Sequence, residues 1–328
     1  MKFVLTKLKI ISSIYSIILF MISQIKLFPL FFASLFCSIQ VFSQDTILAE
    51  EPIVMDDLGY DSEEKTFFST RIINGHSVET LSKGYMEMRI EHRFGDMAGT
   101  NGGAQNMFGF DNLSDMRIAL EYGVTKDLMV GFGRSKGTGA PYRSLLDGFV
   151  KYRALRQGEK QPVSIVVLGG STFTYQKASS DQSQVNHFPK ASHRMAYFVQ
   201  MNVARRFCDW LSVAVMPTFV HRNYVAANDM NSLFALGGAF RLKLNQKFAV
   251  IGEYYHAFHG ENSRPSDTFK QSMAIALEWQ TFGHNFTINI TNSGGLGETQ
   301  FIPYTYENLM KGQFRFGFCV GRKFIVNE

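Results

Sequence analysis

Residues 84–94 read GYMEMRIEHRF, with Met86, Met88, Ile90 and Phe94 on one parity and Glu87, Arg89, Glu91 and Arg93 on the other. Side chains of a β-strand alternate between two faces, so this run describes a ribbon with one apolar and one charged side. A helix would also align Met86, Ile90 and Phe94, so the segment decides little by itself. Eleven further segments of strand length repeat the pattern. They are 115–123, 128–135, 147–155, 163–173, 193–205, 210–222, 233–244, 248–258, 272–281, 285–292 and 312–324. In the last, Phe314, Phe316, Phe318, Val320 and Phe324 oppose Gln313, Arg315, Gly317 and Lys323. Val163–Phe173 starts too uniformly apolar for its faces to be assigned. Pro217, inside the seventh segment, deletes a ladder hydrogen bond and predicts a bulge or a shifted register there.

The connections between segments are 95–114, 124–127, 136–146, 156–162, 174–192, 206–209, 223–232, 245–247, 259–271, 282–284 and 293–311. Long and short alternate without exception. A soluble sandwich has no reason to do this, whereas a transmembrane barrel has short turns on one side and long loops on the other. In a bilayer every backbone group must be paired, so strands cross only as a closed barrel. The fold class expected is therefore all-β: a transmembrane antiparallel up-and-down barrel of about twelve strands. An even number places both chain ends on the short-turn side. The alternative, a soluble antiparallel barrel of lipocalin type, would invert the faces and put the Phe rows inside. Tyr85, Tyr122, Tyr152, Trp210, Phe248, Phe282 and Phe324 cluster near the short-turn strand ends, where an aromatic girdle is expected.

Charge changes the picture only when it is divided along the chain. Residues 1–44 carry four lysines and no acid. A basic start, the apolar run Leu27–Val41 and the ending VFSQD predict a secretory signal over 1–44, cut near Ser43 or Gln44, with Met21 as an alternative start. The competing reading is a retained anchor, against which Lys26 and Pro29 interrupt the span. Residues 45–65 hold eight acids against Lys65 and read as an acidic, disordered periplasmic leader with a possible docking role. The barrel domain is expected over 66–328. Its basic residues are spread evenly, without the concentrated patch that nucleic-acid binding needs. Cys208 and Cys319 are too few for a disulfide scaffold and are expected to be unpaired packing residues.

Several stretches resemble an outer-membrane β-barrel family of Bacteroidota catalogued as a domain of unknown function. They are TRIINGHSVETL (70–81), HRFGD (92–96), NMFGFDN (106–112), LEYGVTKDLMVGFGRS (120–135) and GFVKYRALRQ (148–157). The resemblance runs from about Thr66 to the C-terminus and is most specific in the first half. It implies an outer-membrane barrel in contact with lipid; it implies no activity and no functional residues.

Candidate chemistry is sparse. His221 is expected on the outward face near the long-loop rim, where barrel phospholipases hold a Ser–His pair, but no Ser can be placed beside it from sequence. His256, His259 and Glu261 have metal-like spacing at a strand end, where a solvated rim is the simpler reading. TNGGAQNMFGF (100–110) lacks the Gly-Lys-Ser/Thr ending of a phosphate loop. No enzyme, metal site or cofactor is expected. The lumen is the best candidate. Parity points Arg89, Arg93, Arg117, Lys151, Arg153, Arg241, Lys243 and Arg315 inward, with Glu87, Glu91, Glu121, Glu253 and Glu278 facing them. Gly131, Gly133, Ala235, Gly237 and Ala239 leave space, and Asn285, Thr287 and Asn289 offer uncharged hydrogen bonds. One expectation is a passive pore for small polar or anionic solutes, since basic rings select anions. The other is a non-conducting structural barrel that acts through loops 95–114, 174–192 and 293–311. A lumen blocked by residues 66–83 or by an inward loop would favour the second.

Overall fold

Each alternating segment becomes a strand. In the computed structural model, which describes residues 65–326 apart from 138–140, 261 and 282, the strands are β1 (Tyr85–Asp96), β2 (Leu113–Gly123), β3 (Leu128–Gly137), β4 (Ser144–Leu155), β5 (Ser164–Thr174) and β6 (Met195–Cys208). They continue as β7 (Leu211–Arg222), β8 (Ser232–Lys243), β9 (Phe248–Phe258), β10 (Ser272–Thr281), β11 (His284–Thr291) and β12 (Arg315–Ile325). Every neighbour pair is antiparallel, and β1 pairs with β12, Met86 opposite Phe324 and Ile90 opposite Val320, so the sheet closes on itself. The expected signal and leader lie outside the described residues.

Burial follows the parity read from the sequence. On β6, Ala196, Phe198, Gln200 and Asn202 are buried while Tyr197, Val199 and Met201 are exposed; on β8, Leu233 and Ala235 are buried and Phe234 and Leu236 exposed. Large apolar side chains that stand exposed all round a closed sheet are the lipid-facing row of a membrane barrel.

Three expectations need correction. Strands β3 and β4 reach further outward than their patterns suggested, so the 138–143 connection has six residues, fewer than the eight of 156–163, and the alternation of lengths is not strict. At Pro217 there is no bulge: β6 pairs Gln200 with Thr218 and Val203 with Val215 in the same register, and the ladder simply skips the residues between. Pro217 stays paired in position with Leu236 of β8, so one intact neighbour holds the strand straight. Tyr85 packs against the interior core rather than in a lipid-facing girdle, whereas Tyr152, Trp210 and Phe324 are exposed at the short-turn end. Phe282 lies outside the described residues.

The core sits in the lumen. Residues 66–81 are buried throughout and form a hairpin: Ile72 N donates to Gly75 O, Ser77 N to Thr70 O, and Arg71 bridges His76. Thr80 Oγ1 donates to Lys126 O in the short 124–127 turn, and Thr66 N and Phe67 N donate to Glu79 Oε1. The hairpin therefore enters and leaves by the short-turn end. From the opposite end the 292–314 connection bends inward and carries a single helical turn, α1 (Glu298–Phe301), whose Phe301 is fully buried with Ile302.

Candidate functional site

The lumen has two unlike halves. From β4 to β9 the apolar inward side chains gather: Phe149, Val166, Leu168, Phe198, Met216 and Ile251 form one cluster with Phe67, Ile72, Ile73, Val78 and Leu81 of the hairpin, and Lys151, Gln200, Asn202 and Glu253 stand among them. This explains why Val163–Phe173 has no polar face: one side of β5 meets lipid and the other meets the hairpin. Around β1, β2 and β12 the inward side chains are charged. Arg89 Nη1 donates to Glu87 Oε1 at 3.0 Å, Arg117 Nη1 to Glu91 Oε2 at 2.9 Å, and Arg117 Nη2 to Asp147 Oδ2 at 2.6 Å. A buried charge without a partner costs several kcal/mol, and these are chained so that each has one.

The wall charges also grip the hairpin. Glu253 accepts from the backbone N–H groups of Ile73, Asn74 and Gly75 at 3.2, 2.8 and 3.2 Å. Glu121 accepts from Thr70 Oγ1 at 2.7 Å, Lys151 Nζ donates to Thr70 O at 2.9 Å, and Arg89 Nη1 donates to Ser69 Oγ at 2.7 Å. Arg93 donates to Asn74 Oδ1, and Asn202 Nδ2 to His76 O at 2.6 Å. At the tip, Arg71 Nη2 stands 3.3 Å from Glu298 Oε2 of α1, so the hairpin and the outer connection meet in mid-lumen. Burial and the neighbouring Arg71, Lys151 and Arg117 hold the His76 imidazole well below its usual pKa, so it sits neutral beside Phe149.

Of the thirteen residues expected to line the lumen, Glu87, Arg89, Glu91, Arg93, Arg117, Glu121, Lys151, Arg153, Glu253 and Glu278 are buried. Arg241 is half-buried and paired with Glu278 at 2.8 Å; Arg315, also half-buried, pairs with Glu307 of the 292–314 connection. Lys243 is half-buried at the short-turn end of β8, and Arg153 reaches Asp127 at 3.1 Å on the same rim. The space expected over the small residues is filled. A Cβ on Gly131 would meet the Phe149 ring, one on Gly133 the Arg117 guanidinium, and one on Gly237 the Tyr255 ring. Asn285, Thr287 and Asn289 are buried in the same interior.

Sequence reasoning missed the inward acids Asp115 and Asp147, which share parity with Arg117 and Lys151 at the strand starts. It also missed the hairpin as a structured element. Its signal was Asn74-Gly75 between Ile72-Ile73 and Val78, a turn dipeptide flanked by apolar residues. The structure places Ser232 beside His221 after all, Nδ1 to Oγ at 2.8 Å, across the β7–β8 pair. The pair lies on the outward face near the long-loop rim, where His221 was expected. His256 shares its outward row with Tyr254 and Phe258, stacking edge-on to Phe258, and Glu261 lies outside the described residues.

Comparison with known proteins places this geometry. Among solved structures, the KdgM porin in complex with disordered oligogalacturonate is similar at 9% identity, covering 73% of this chain and 99% of that one with a TM-score of 0.44. The NanC porin gives 11%, 72%, 97% and 0.42, and LpxR from Salmonella typhimurium 9%, 74%, 99% and 0.36. Likenesses this remote carry nothing about function. No curated protein matches the sequence. Residues 67–324 match the family described as membrane bound beta barrel domain, and the match takes in the hairpin and the twelve strands except Thr66 and Ile325. The chain belongs to this family of membrane-bound β-barrel domains, DUF5777.

Proposed function

We propose that the chain is an outer-membrane channel that is closed in the state described, and that it passes small polar or mildly anionic solutes when the hairpin leaves the lumen. The observation that carries this reading is the way the hairpin is held. It enters and leaves by one end, so it has an exit that breaks no strand. Its polar grips are wall side chains, Glu121, Lys151, Glu253 and Arg93, that would face water once it is gone. With Asp115 and Asp147 added to the acids and Arg222 and Lys323 to the bases, the inward bases outnumber the acids, which supports a weak anion preference.

The hairpin does not leave unaided. Burial of Phe67, Ile72, Ile73, Val78 and Leu81 contributes roughly 10 kcal/mol at about 2 kcal/mol each. A second reading, a non-conducting barrel that acts through its outer loops, is favoured by the same occupancy: residues 66–81 and the inward 292–314 connection block the lumen, the arrangement expected of that reading, and Phe149, Val166, Leu168 and Phe198 need an apolar cover. Catalysis and a metal are no part of either reading. Current through the refolded protein in a planar bilayer separates the two. The channel reading expects a chain with residues 66–81 replaced by a short glycine-serine linker to conduct, with a reversal potential weakly favouring anions that Arg89→Glu shifts toward cations. A linker-bearing barrel that inserts, folds and stays silent supports the scaffold instead.

A further inference from the structure

The glycine-rich stretch TNGGAQNMFGF folds at the long-loop end into a 3-10 turn over Ala104–Gly109. The turn is tightly built. Gly103 N donates to Met97 O at 2.8 Å, Phe108 N to Gly103 O at 2.8 Å, and Asn106 Nδ2 to Asn101 O at 2.7 Å. Asp96, at the end of β1, accepts from Gly99 N at 3.0 Å and from Asn101 N at 3.3 Å. At the tip Met107 and Phe108 adopt a left-handed backbone, with φ of 45° and 53°, a region that bulky side chains rarely enter. The outcome of that costly geometry is exposure: Met107 is 48% and Phe108 42% exposed.

The tip is continuous with the lipid-facing wall. Phe110, two residues on, sets its ring 4.8 Å from that of Phe94 on β1 and 5.5 Å from that of Phe316 on β12. His92 and Phe318 face each other across β1 and β12 in the outward row that holds Met88 exposed, and they stack at 5.4 Å. Phe94 packs against His92 at 4.5 Å and against Phe316 at 5.7 Å. Phe110 therefore lies on the outside of the barrel. The 97–112 connection has no base and one acid, Asp111, whereas the 175–194 connection carries Lys177, Asp181, Lys190 and Arg194. We propose that the tip of the 97–112 connection is a wedge seated in the membrane leaflet at the long-loop end, with Met107 and Phe108 at the boundary between lipid headgroups and acyl chains.

In water, an ordered turn that holds two large apolar side chains outward at positive φ loses twice, once in backbone strain and once in wetted apolar surface. At the lipid boundary that surface leaves water, and aromatic rings are favoured there. The Phe94, Phe110 and Phe316 rings beneath the tip fix its angle to the wall. This seat does not depend on whether the lumen conducts.

Single-tryptophan fluorescence of the protein refolded into phosphatidylcholine liposomes tests this. Trp210→Phe and Trp279→Phe clear the background, since the sequence holds two tryptophans, and Phe108→Trp supplies the reporter. Lipid brominated just below the headgroup should quench this reporter several-fold more than aqueous iodide does, and more than lipid brominated at the chain ends. Ser180→Trp, exposed on the charged 175–194 connection, should show the reverse, with iodide the stronger quencher. Met107→Trp carries the same expectation as Phe108→Trp and serves if that variant does not fold, with the folded-barrel gel shift checking each. Tip reporters quenched by iodide and indifferent to brominated lipid stand in water, which overturns the proposal. Tip reporters shielded from both quenchers are covered by protein, such as a second copy of the chain, and that overturns it equally.

Discussion

One carboxylate, Glu253, serves three consecutive backbone N–H groups at the hairpin tip, and a charged acceptor makes each of those bonds stronger than a neutral one. Glu253→Gln keeps the shape and removes the charge. It should weaken the seat by about 2 kcal/mol, which is roughly 30-fold in the amide exchange of residues 73–75, measured by hydrogen–deuterium exchange. Exchange unchanged from the parent would mean that the apolar packing alone holds the tip. His76 supplies the pH dependence. Its seated pKa lies well below the ordinary value near 6.5, while a released hairpin in water regains that value. Protons therefore bind the released form first. The contribution of His76 to closure is complete above pH 6.5 and is lost as pH falls below it, by up to about 1.4 kcal/mol per unit. Comparing exchange at residues 70–77 at pH 7.5 and 5.5 in the parent and in His76→Gln isolates this slope, and equal slopes would remove His76 from the account. The inward charges were legible because a strand has only two faces. Their partners were not, because Glu253 bonds to a segment 178 residues away in sequence.

At the scale of elements, the twelve strands were readable from period-two alternation, and the hairpin was not, because it is buried on every side, with apolar residues against one part of the wall and polar ones against another, so that no period marks it. The same blindness left β5 unassigned. Gly75 shows how closely hairpin and wall are fitted: a Cβ there would lie 1.9 Å from the Tyr255 hydroxyl oxygen, so only glycine allows the tip to seat. Tyr255 is itself fixed, accepting from Gln200 Nε2 at 3.1 Å and packing edge-on to Phe301 of α1. Gly75→Leu should unseat the tip without touching the ladder between strands. A protease added to the refolded barrel should then cut within 66–81 in the variant and not in the parent, and Tyr255→Ala in the same chain should restore protection by making room. Protection that persists in Gly75→Leu alone would show that the tip has another way to pack.

At the scale of the whole molecule, a barrel with a charged half and an apolar half is explained by what fills it. The charged half reads as a pore wall in sequence and serves as an ion-paired seat in the structure. The apolar side chains of the other half, left unassigned in sequence over Val163–Phe173, form the surface against which Phe67, Ile72, Ile73, Val78 and Leu81 pack. What remained illegible was depth, since nothing in a strand pattern says whether water or chain occupies the space between walls. The central claim is that this hairpin is the closure of an otherwise hydrated lumen. Single-channel recording in a planar bilayer, with the parent protein and the form whose residues 66–81 are a glycine-serine linker, tests it most directly. The account expects a silent parent and stepwise current through the linker form. A parent that conducts with its hairpin protected from exchange, or a folded linker form that never does, would contradict it.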